Sequence, residues 1–221
     1  MSCLKLKQVG TNRRNVGVIN PSSEGGSGGG NNNLLTDLFV SLEMDETGTG
    51  IREDEHTTNR DFTNNGSATN DTGVINNATA FVKEAFQSLS NSSTDFQFSG
   101  DFSFNGFLYF IDDASNARHL GNQAINFGFD LQCGVSNVIF RQRTTSGLET
   151  NTYSGLTIAS NSWVNIAFVY DSSGPTSTLY VDGVKQGTPK SLNGTQTWTG
   201  SAFPLALACN GSSLTVCRTC R

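Results

Sequence analysis

Apolar side chains recur at every second position over most of the chain, and this alternation constrains the fold more than any other feature. In one run the alternating residues are Ile125, Phe127, Phe129 and Leu131. In another they are Val164, Ile166, Phe168 and Tyr170. Successive side chains of an extended strand point to opposite faces, so each run buries one face. The pattern predicts an all-β protein built from two antiparallel sheets that pack face to face.

Turn-forming residues separate these runs at strand-length intervals. Asp182-Gly183 follows the apolar run 179–181 and is typical of a two-residue hairpin turn. The composition agrees, since 24 glycines and a charged fraction of only 15% favour turns over helices. We therefore expect one β-sandwich domain over residues 34–221.

The N-terminal residues differ in composition from the rest. Residues 1–20 mix basic and scattered apolar side chains, and residues 21–33 are rich in Gly, Ser and Asn, as in a flexible linker. We predict an extended N-terminal arm and linker over residues 1–33. No secretory apolar stretch follows the basic residues of 1–17, so we expect cytoplasmic synthesis. No apolar run is long enough to span a bilayer, and we expect no membrane insertion.

The charge balance argues against nucleic acid as a partner. The chain has 14 Lys and Arg against 19 Asp and Glu, a net charge of -5. Binding to a phosphate backbone depends on clustered cations that displace counterions.

Three pairs of segments, taken in order, resemble the laminin-G-like domain of the concanavalin A-like lectin/glucanase superfamily. The segments are residues 38–48 with 52–59, residues 77–81 with 98–109, and residues 163–171 with 179–183. The resemblance covers about residues 34–207 and implies a two-sheet jelly-roll β-sandwich. The end of the chain departs from the family, whose usual closing strand is replaced by residues 209–221. Either Ser213–Val216 supplies a substitute, or a sheet edge stays open to partners.

The superfamily includes glucanases, whose catalytic strand resembles E-x-D-x-E, so the acidic run Glu43-Met44-Asp45-Glu46 needs testing. A retaining glycosidase places two carboxyl groups about 5–5.5 Å apart. On a regular strand Glu43 and Asp45 share a face, whereas Glu46 points to the other. The third carboxylate of the family pattern is missing. We therefore expect no catalytic residues and no enzyme activity.

The resemblance also implies a calcium ion held by loop oxygens. Asp45, Asp54 and Asn59 match the acidic-loop positions, and a hard cation of this kind takes six to eight oxygen ligands. The alternative is that this loop is simply solvated.

Aromatic side chains provide a second kind of candidate site, because sugars stack on Trp and Tyr rings beside a few polar groups. The candidates are Trp198, Tyr153 and Tyr180. For each of them packing in the core is the alternative role.

These features predict a non-enzymatic structural or interaction module. The arm and the single laminin-G-like domain are similar to phage virion proteins such as capsid decorations, head fibres or tail fibres. We expect residues 1–33 to contact other protein subunits in an oligomeric assembly, which places the protein in a virion. The first alternative is a carbohydrate-binding module, extracellular or on a cell surface, that recognises surface glycans. The second alternative, which the missing third carboxylate disfavours, is a glucanase.

Overall fold

The structure is a computed structural model that describes residues 3–7, 16–19, 38–42, 44, 46–54, 60–73, 77–82, 87–98, 100–110, 117–121, 128–197 and 205–207. Its strands form two sheets, and every pairing between the described strands is antiparallel. A short 3-10 helix spans Thr94–Phe96. Within the described part of the chain, no helix has the length and apolar character needed to cross a membrane.

The larger sheet contains ten described strands. They are β1 (Cys3–Lys7), β2 (Val16–Ile19), β3 (Leu38–Leu42), β5 (Thr69–Thr72), β6 (Asn77–Val82), β8 (Phe102–Phe110), β13 (Trp163–Asp171), β14 (Thr176–Val181), β15 (Val184–Lys185) and β16 (Lys190–Ser191). Their main order is β15-β14-β13-β8-β1-β6-β5. Outside this order, β2 pairs with β8, β3 pairs with β2, and β16 pairs with β14.

The smaller sheet contains seven described strands. They are β4 (Thr63–Asn65), β7 (Ser88–Asn91), β9 (Ala117–Gly121), β10 (Phe129–Cys133), β11 (Asn137–Thr144), β12 (Gly147–Ser154) and β17 (Leu205–Leu207). Their order is β12-β11-β10-β9-β17-β7-β4. Strand β17 lies between β9 and β7 and completes this sheet. Ser213–Val216 lies outside the described residues.

Aromatic rings from both sheets meet between them and form the core. Phe102 on β8 lies 4.7 Å from Phe129 on β10, measured between ring centroids. Phe168 on β13 lies 4.4 Å from Phe140 on β11. All four side chains are buried. These contacts across the two sheets confirm the predicted antiparallel sandwich.

The apolar residues of both runs are buried where the structure describes them, although Asp130 and Gln132 on the other face of β10 are buried too. The buried residues of the two runs are Phe129, Leu131, Val164, Ile166, Phe168 and Tyr170. Ile125 and Phe127 lie outside the described residues. The predicted hairpin joins β14 to β15, and both of its turn residues have positive φ angles, 49° at Asp182 and 78° at Gly183. Those angles are the requirement of a type I′ turn.

Two segments of the predicted N-terminal arm are strands of the larger sheet. Cys3–Lys7 pairs with β6 and β8, and Val16–Ile19 pairs with β3 and β8. Residues 20–37 lie outside the described part. The division of the chain after residue 33 therefore stays a prediction.

Candidate ligand site at the edge of the sandwich

A cavity of about 250 Å³ lies where an edge of the larger sheet meets an edge of the smaller one. The end of β12 and the residues after it, 153–156, form one side. The connection from β15 to β16 forms the other side with Gln186, Gly187, Thr188 and Lys190. Ligand pockets in proteins commonly measure about 300–1,000 Å³. The cavity is therefore suited to a single small polar group such as one sugar ring.

Turns with defined backbone conformations place these residues around the cavity. Gly155 and Gly187 have φ angles of 74° and 67°, in the region that favours glycine. The amide of Leu156 donates to the carbonyl of Ser136 at 3.1 Å, which holds the segment after β12 against the smaller sheet. The amide of Gln186 donates to the carbonyl of Leu179 at 2.8 Å. Both sides of the cavity are thus fixed by backbone hydrogen bonds to neighbouring elements.

Tyr153 forms the inner wall of the cavity. Its side chain is 3% exposed, and its hydroxyl lies 2.8 Å from the hydroxyl of Ser177. Burial raises the pKa of Tyr153, and the hydrogen bond between its hydroxyl and Ser177 opposes that shift. The ring therefore stays neutral at physiological pH. The ammonium of Lys190 lies 5.4 Å from the centroid of this ring, within the range of a cation–π contact.

Asn151 joins the two sheets beside the cavity. Its side-chain amide donates to the hydroxyl of Ser177 at 2.8 Å and to the carbonyl of Lys190 at 3.0 Å. Strand β16 also pairs Lys190 with Ser177. The backbone of Lys190 is therefore anchored on two sides, whereas its long side chain retains rotatable bonds.

The two predicted aromatic candidates that the structure describes, Tyr153 and Tyr180, lie on different surfaces. Tyr153 points inward from β12, as its burial beside the exposed Ser154 shows. Tyr180 is half-buried on β14 and alternates with the buried Leu179, so it lies on the outer face of the larger sheet. Trp198 lies outside the described residues. Of the three, the structure places only Tyr153 at the cavity.

Three polar cavity residues were missed by the sequence analysis, namely Gln186, Thr188 and Lys190. The sequence indicates their position only indirectly. They follow the predicted hairpin turn at Asp182-Gly183, so they must lie near the edge of a sheet. The contact between Lys190 and Tyr153 joins residues far apart in sequence, so no local pattern could indicate it.

Asp54 forms two hydrogen bonds within the acidic loop, each between a carboxylate and a backbone amide. Its carboxylate accepts a hydrogen bond from the amide of Arg60 at 3.0 Å, and its own amide donates to Asp61 Oδ1 at 2.9 Å. The other predicted calcium ligands, Asp45 and Asn59, lie outside the described residues. Among the residues with a described position, no group of three or more His, Cys, Asp or Glu is placed to hold a metal ion. The calcium site stays a prediction.

Arg52 organises the same loop from the inside, and no sequence pattern pointed to it. Its guanidinium is fully buried and donates to Thr79 Oγ1 at 2.8 Å and to the carbonyls of Gly50 and Gly48, each at 3.2 Å. The carboxylate of Glu46 lies 3.7 Å from its Nε. Burial lowers the pKa of Arg52 below its ordinary value, and the negative charge of Glu46 opposes part of that shift. The loop is thus wrapped around a buried cation.

Glu46, the last carboxylate of the acidic run, belongs to this network. Its Oε1 accepts a hydrogen bond from the amide of Glu53 at 2.6 Å, and its Oε2 faces Arg52. Met44 between the acidic residues is fully buried. Glu43 and Asp45 lie outside the described residues. The described part of this run therefore stabilises the loop.

A further polar cluster lies on the face of the smaller sheet that points away from the core. Asp130 and Gln132 are buried although they alternate with core residues such as Phe129. Gln132 Nε2 donates to Asp130 Oδ2 at 2.9 Å, and Arg141 Nε lies 3.5 Å from Asp130 Oδ1. Gly121 packs so closely here that a Cβ would lie 2.8 Å from the Asp130 Cα. The cluster links β9, β10 and β11.

Comparison with known families identifies the fold. A family model described as the concanavalin A-like lectin/glucanases superfamily matches residues 83–215, more than half of the chain. The chain belongs to this superfamily. The match confirms the family resemblance of the sequence, and it includes the strands on both sides of the cavity. No curated protein matches the sequence.

Two solved structures share the fold of this superfamily member. One is of botulinum neurotoxin type C, which depends on two ganglioside molecules to enter cells; it has 11% identity and a TM-score of 0.55 over 79% of this chain. This chain spans about half of the neurotoxin chain, 47% of its length. The other is domain 4 of the extracellular arabinanase AbnA from Geobacillus stearothermophilus, in complex with arabinotriose. It has 16% identity and a TM-score of 0.53, covering 74% of this chain and 84% of that one.

Proposed function

We propose that the protein is a non-enzymatic carbohydrate-binding module that holds a sugar in the edge cavity. The observation that carries this proposal is the lining of the cavity, where a tyrosine ring adjoins hydroxyl, amide and ammonium groups. Sugar sites combine an aromatic ring, which contacts the apolar face of the sugar, with a few polar groups that bind its hydroxyls. The superfamily includes lectins, and one solved structure of similar fold holds arabinotriose.

The test is titration of the full chain with a panel of mono- and oligosaccharides, followed by isothermal calorimetry. Thr188→Ala removes a hydroxyl from the cavity lining, and we expect it to weaken binding by about tenfold, the loss of one hydrogen bond. The matched control is Thr152→Ala, because Thr152 is exposed on β12 and does not line the cavity. Equal affinity in the two variants, or no saccharide binding by the parent protein, would reject the proposal.

The proposed absence of catalysis is supported by the engagement of Glu46 with Arg52 and with the Glu53 amide. A carboxylate held in this way is poorly placed to transfer a proton to a glycosidic oxygen. Incubation with β-glucans and arabinans, with reducing ends measured over time, tests this directly. Turnover that disappears in Glu43→Gln would identify a glycosidase instead.

The assembly role remains a second proposal, in which the chain is an oligomeric virion component attached through residues 1–33. The composition of residues 21–33, rich in Gly, Ser and Asn, supports it, because such a stretch is typical of a flexible connection that another subunit can contact. Strands β1 and β2 pair within the larger sheet, so deleting the whole arm would also remove part of the fold. Light scattering on the full chain is therefore the better test, and a strictly monomeric protein would argue against this role.

A further inference from the structure

The described lining of the edge cavity contains one positively charged residue and no acidic residue. Among the described residues that line it, Lys190 is the only one with a formal charge, and the others are Tyr, Ser, Gly, Leu, Gln and Thr. The protein as a whole has a net charge of -5. A cationic cavity on an acidic protein favours a ligand that supplies a negative charge locally.

Within the part of the chain that the structure describes, the Lys190 ammonium contacts the neutral ring of Tyr153 on the inner side of the cavity. Its Nζ lies over Tyr153, whose hydroxyl is occupied by Ser177. A carboxylate is a stronger partner for an ammonium than an aromatic face, because it forms a charge-assisted hydrogen bond. A ligand carboxylate would therefore compete successfully with Tyr153 for this group.

Movement of the lysine side chain would also open the sugar-stacking surface. The Lys190 backbone is held by Asn151 and by pairing with Ser177, so only the side chain has to rotate. Tyr153 is 3% exposed with Lys190 in its present position. Withdrawal of the ammonium would uncover one face of the ring while the bond to Ser177 keeps the ring in place.

We propose that the edge cavity selects sugars that bear a carboxylate, which draws Lys190 away from Tyr153 so that the sugar ring stacks on the tyrosine. This inference rests on the proposed carbohydrate-binding function and names the class of sugar. The chemistry that it requires is that of a uronic acid or of another carboxylated sugar.

The test compares methyl β-D-glucuronide with methyl β-D-glucoside, which differ only in a carboxylate and a hydroxymethyl group. We expect the full chain to bind the glucuronide at least tenfold more tightly in low salt, by calorimetry. Lys190→Gln should remove that preference, so that the variant binds the two sugars with affinities within about twofold of each other. Lys190→Arg should retain the preference. The preference should shrink in 0.5 M NaCl, because salt screens the charge pair.

The matched control is Lys185→Gln, since Lys185 is exposed on β15 and does not line the cavity. This variant should keep the full preference for the glucuronide. Equal affinity of the parent protein for the two sugars would overturn the acid selectivity and leave the proposed function intact. A preference retained in Lys190→Gln would overturn the role of Lys190. If the parent protein binds neither of these two sugars and no member of the saccharide panel, both proposals are overturned.

Discussion

Phe102 and Arg52 are both almost completely buried, at 1% and 0% exposure, but their surroundings have opposite chemistry. Phe102 lies among other rings between the sheets, with Phe129 and Tyr170 at centroid distances of 4.7 and 5.3 Å. Arg52 lies among backbone carbonyls, the Thr79 hydroxyl and the Glu46 carboxylate. The surroundings of Phe102 exclude water by apolar packing. The surroundings of Arg52 replace water with hydrogen-bond acceptors and a negative charge.

In this molecule, burial of an apolar side chain and burial of a charged side chain contribute to stability in different ways. Burial of apolar side chains stabilises the folded state roughly in proportion to the apolar area removed from water, and it does not depend on the direction of a contact. The burial of a cation is favourable only if each of its donors finds a partner in the right place. We therefore expect core substitutions to affect the whole sandwich and Arg52 substitutions to affect the loop first.

The largest expected effect comes from Phe102→Ala, which removes a ring from the centre of the core. Loss of transfer free energy and the cavity left behind should lower the free energy of unfolding by about 3–5 kcal/mol. Urea denaturation measures this change. The control is Val169→Ala, where the side chain is 40% exposed and the loss should stay below about 0.5 kcal/mol. A loss below 1 kcal/mol for Phe102→Ala would contradict this account of the core.

A smaller global effect is expected from Arg52→Met, which keeps the volume but removes the donors. The partners left without hydrogen bonds should cost about 1–3 kcal/mol. Hydrogen exchange should show faster exchange in residues 46–54, with little change in β8 and β13. Arg52→Lys retains the charge without the planar set of donors and should restore only part of the protection. Unchanged exchange in the loop would show that Arg52 does not hold it.

The smallest effect is a decrease in the free energy of unfolding at alkaline pH, which arises from a buried thiol. Burial raises the pKa of the Cys133 thiol far above its ordinary value of 9.0. The unfolded thiol therefore loses its proton first, and the free energy of unfolding falls as the pH rises above about 9, by up to about 1.4 kcal/mol per unit. Below that pH the contribution is fully present. Burial also raises the pKa values of Tyr153 and Tyr170, which adds to the slope above about pH 10.

Urea titrations between pH 8 and 10 measure this slope. Cys133→Ala should flatten it, whereas Arg52→Met should leave it unchanged because the slope arises in the core. The same slope in the parent protein and in Cys133→Ala would contradict the assignment to the thiol.

Local pattern was enough to predict the alternating strands and the hairpin, but not β1 and β2, which lie within the predicted arm. The alternation in β13 follows from the geometry of one strand, and the positive φ angles at Asp182 and Gly183 follow from the residue types that accept them. The candidate site was predicted less completely. Tyr153 was identified by its chemistry, but Tyr180 lies on the opposite side of the larger sheet from the core. Gln186, Thr188 and Lys190 were not identified.

The sequence by itself determined that the chain folds as a β-sandwich, that β13 alternates between a buried and an outer face, and that a turn joins β14 to β15. These properties depend on neighbours one or two residues apart. Only the tertiary structure decided that Lys190 lies over Tyr153, that Arg52 lies inside its loop, and that Cys3–Lys7 pairs with β8. The first and last of these contacts join segments far apart in the chain, and one hydrogen bond of Arg52 reaches Thr79, 27 residues away. Their free energy depends on how the sheets are ordered and stacked, and no local pattern encodes that order.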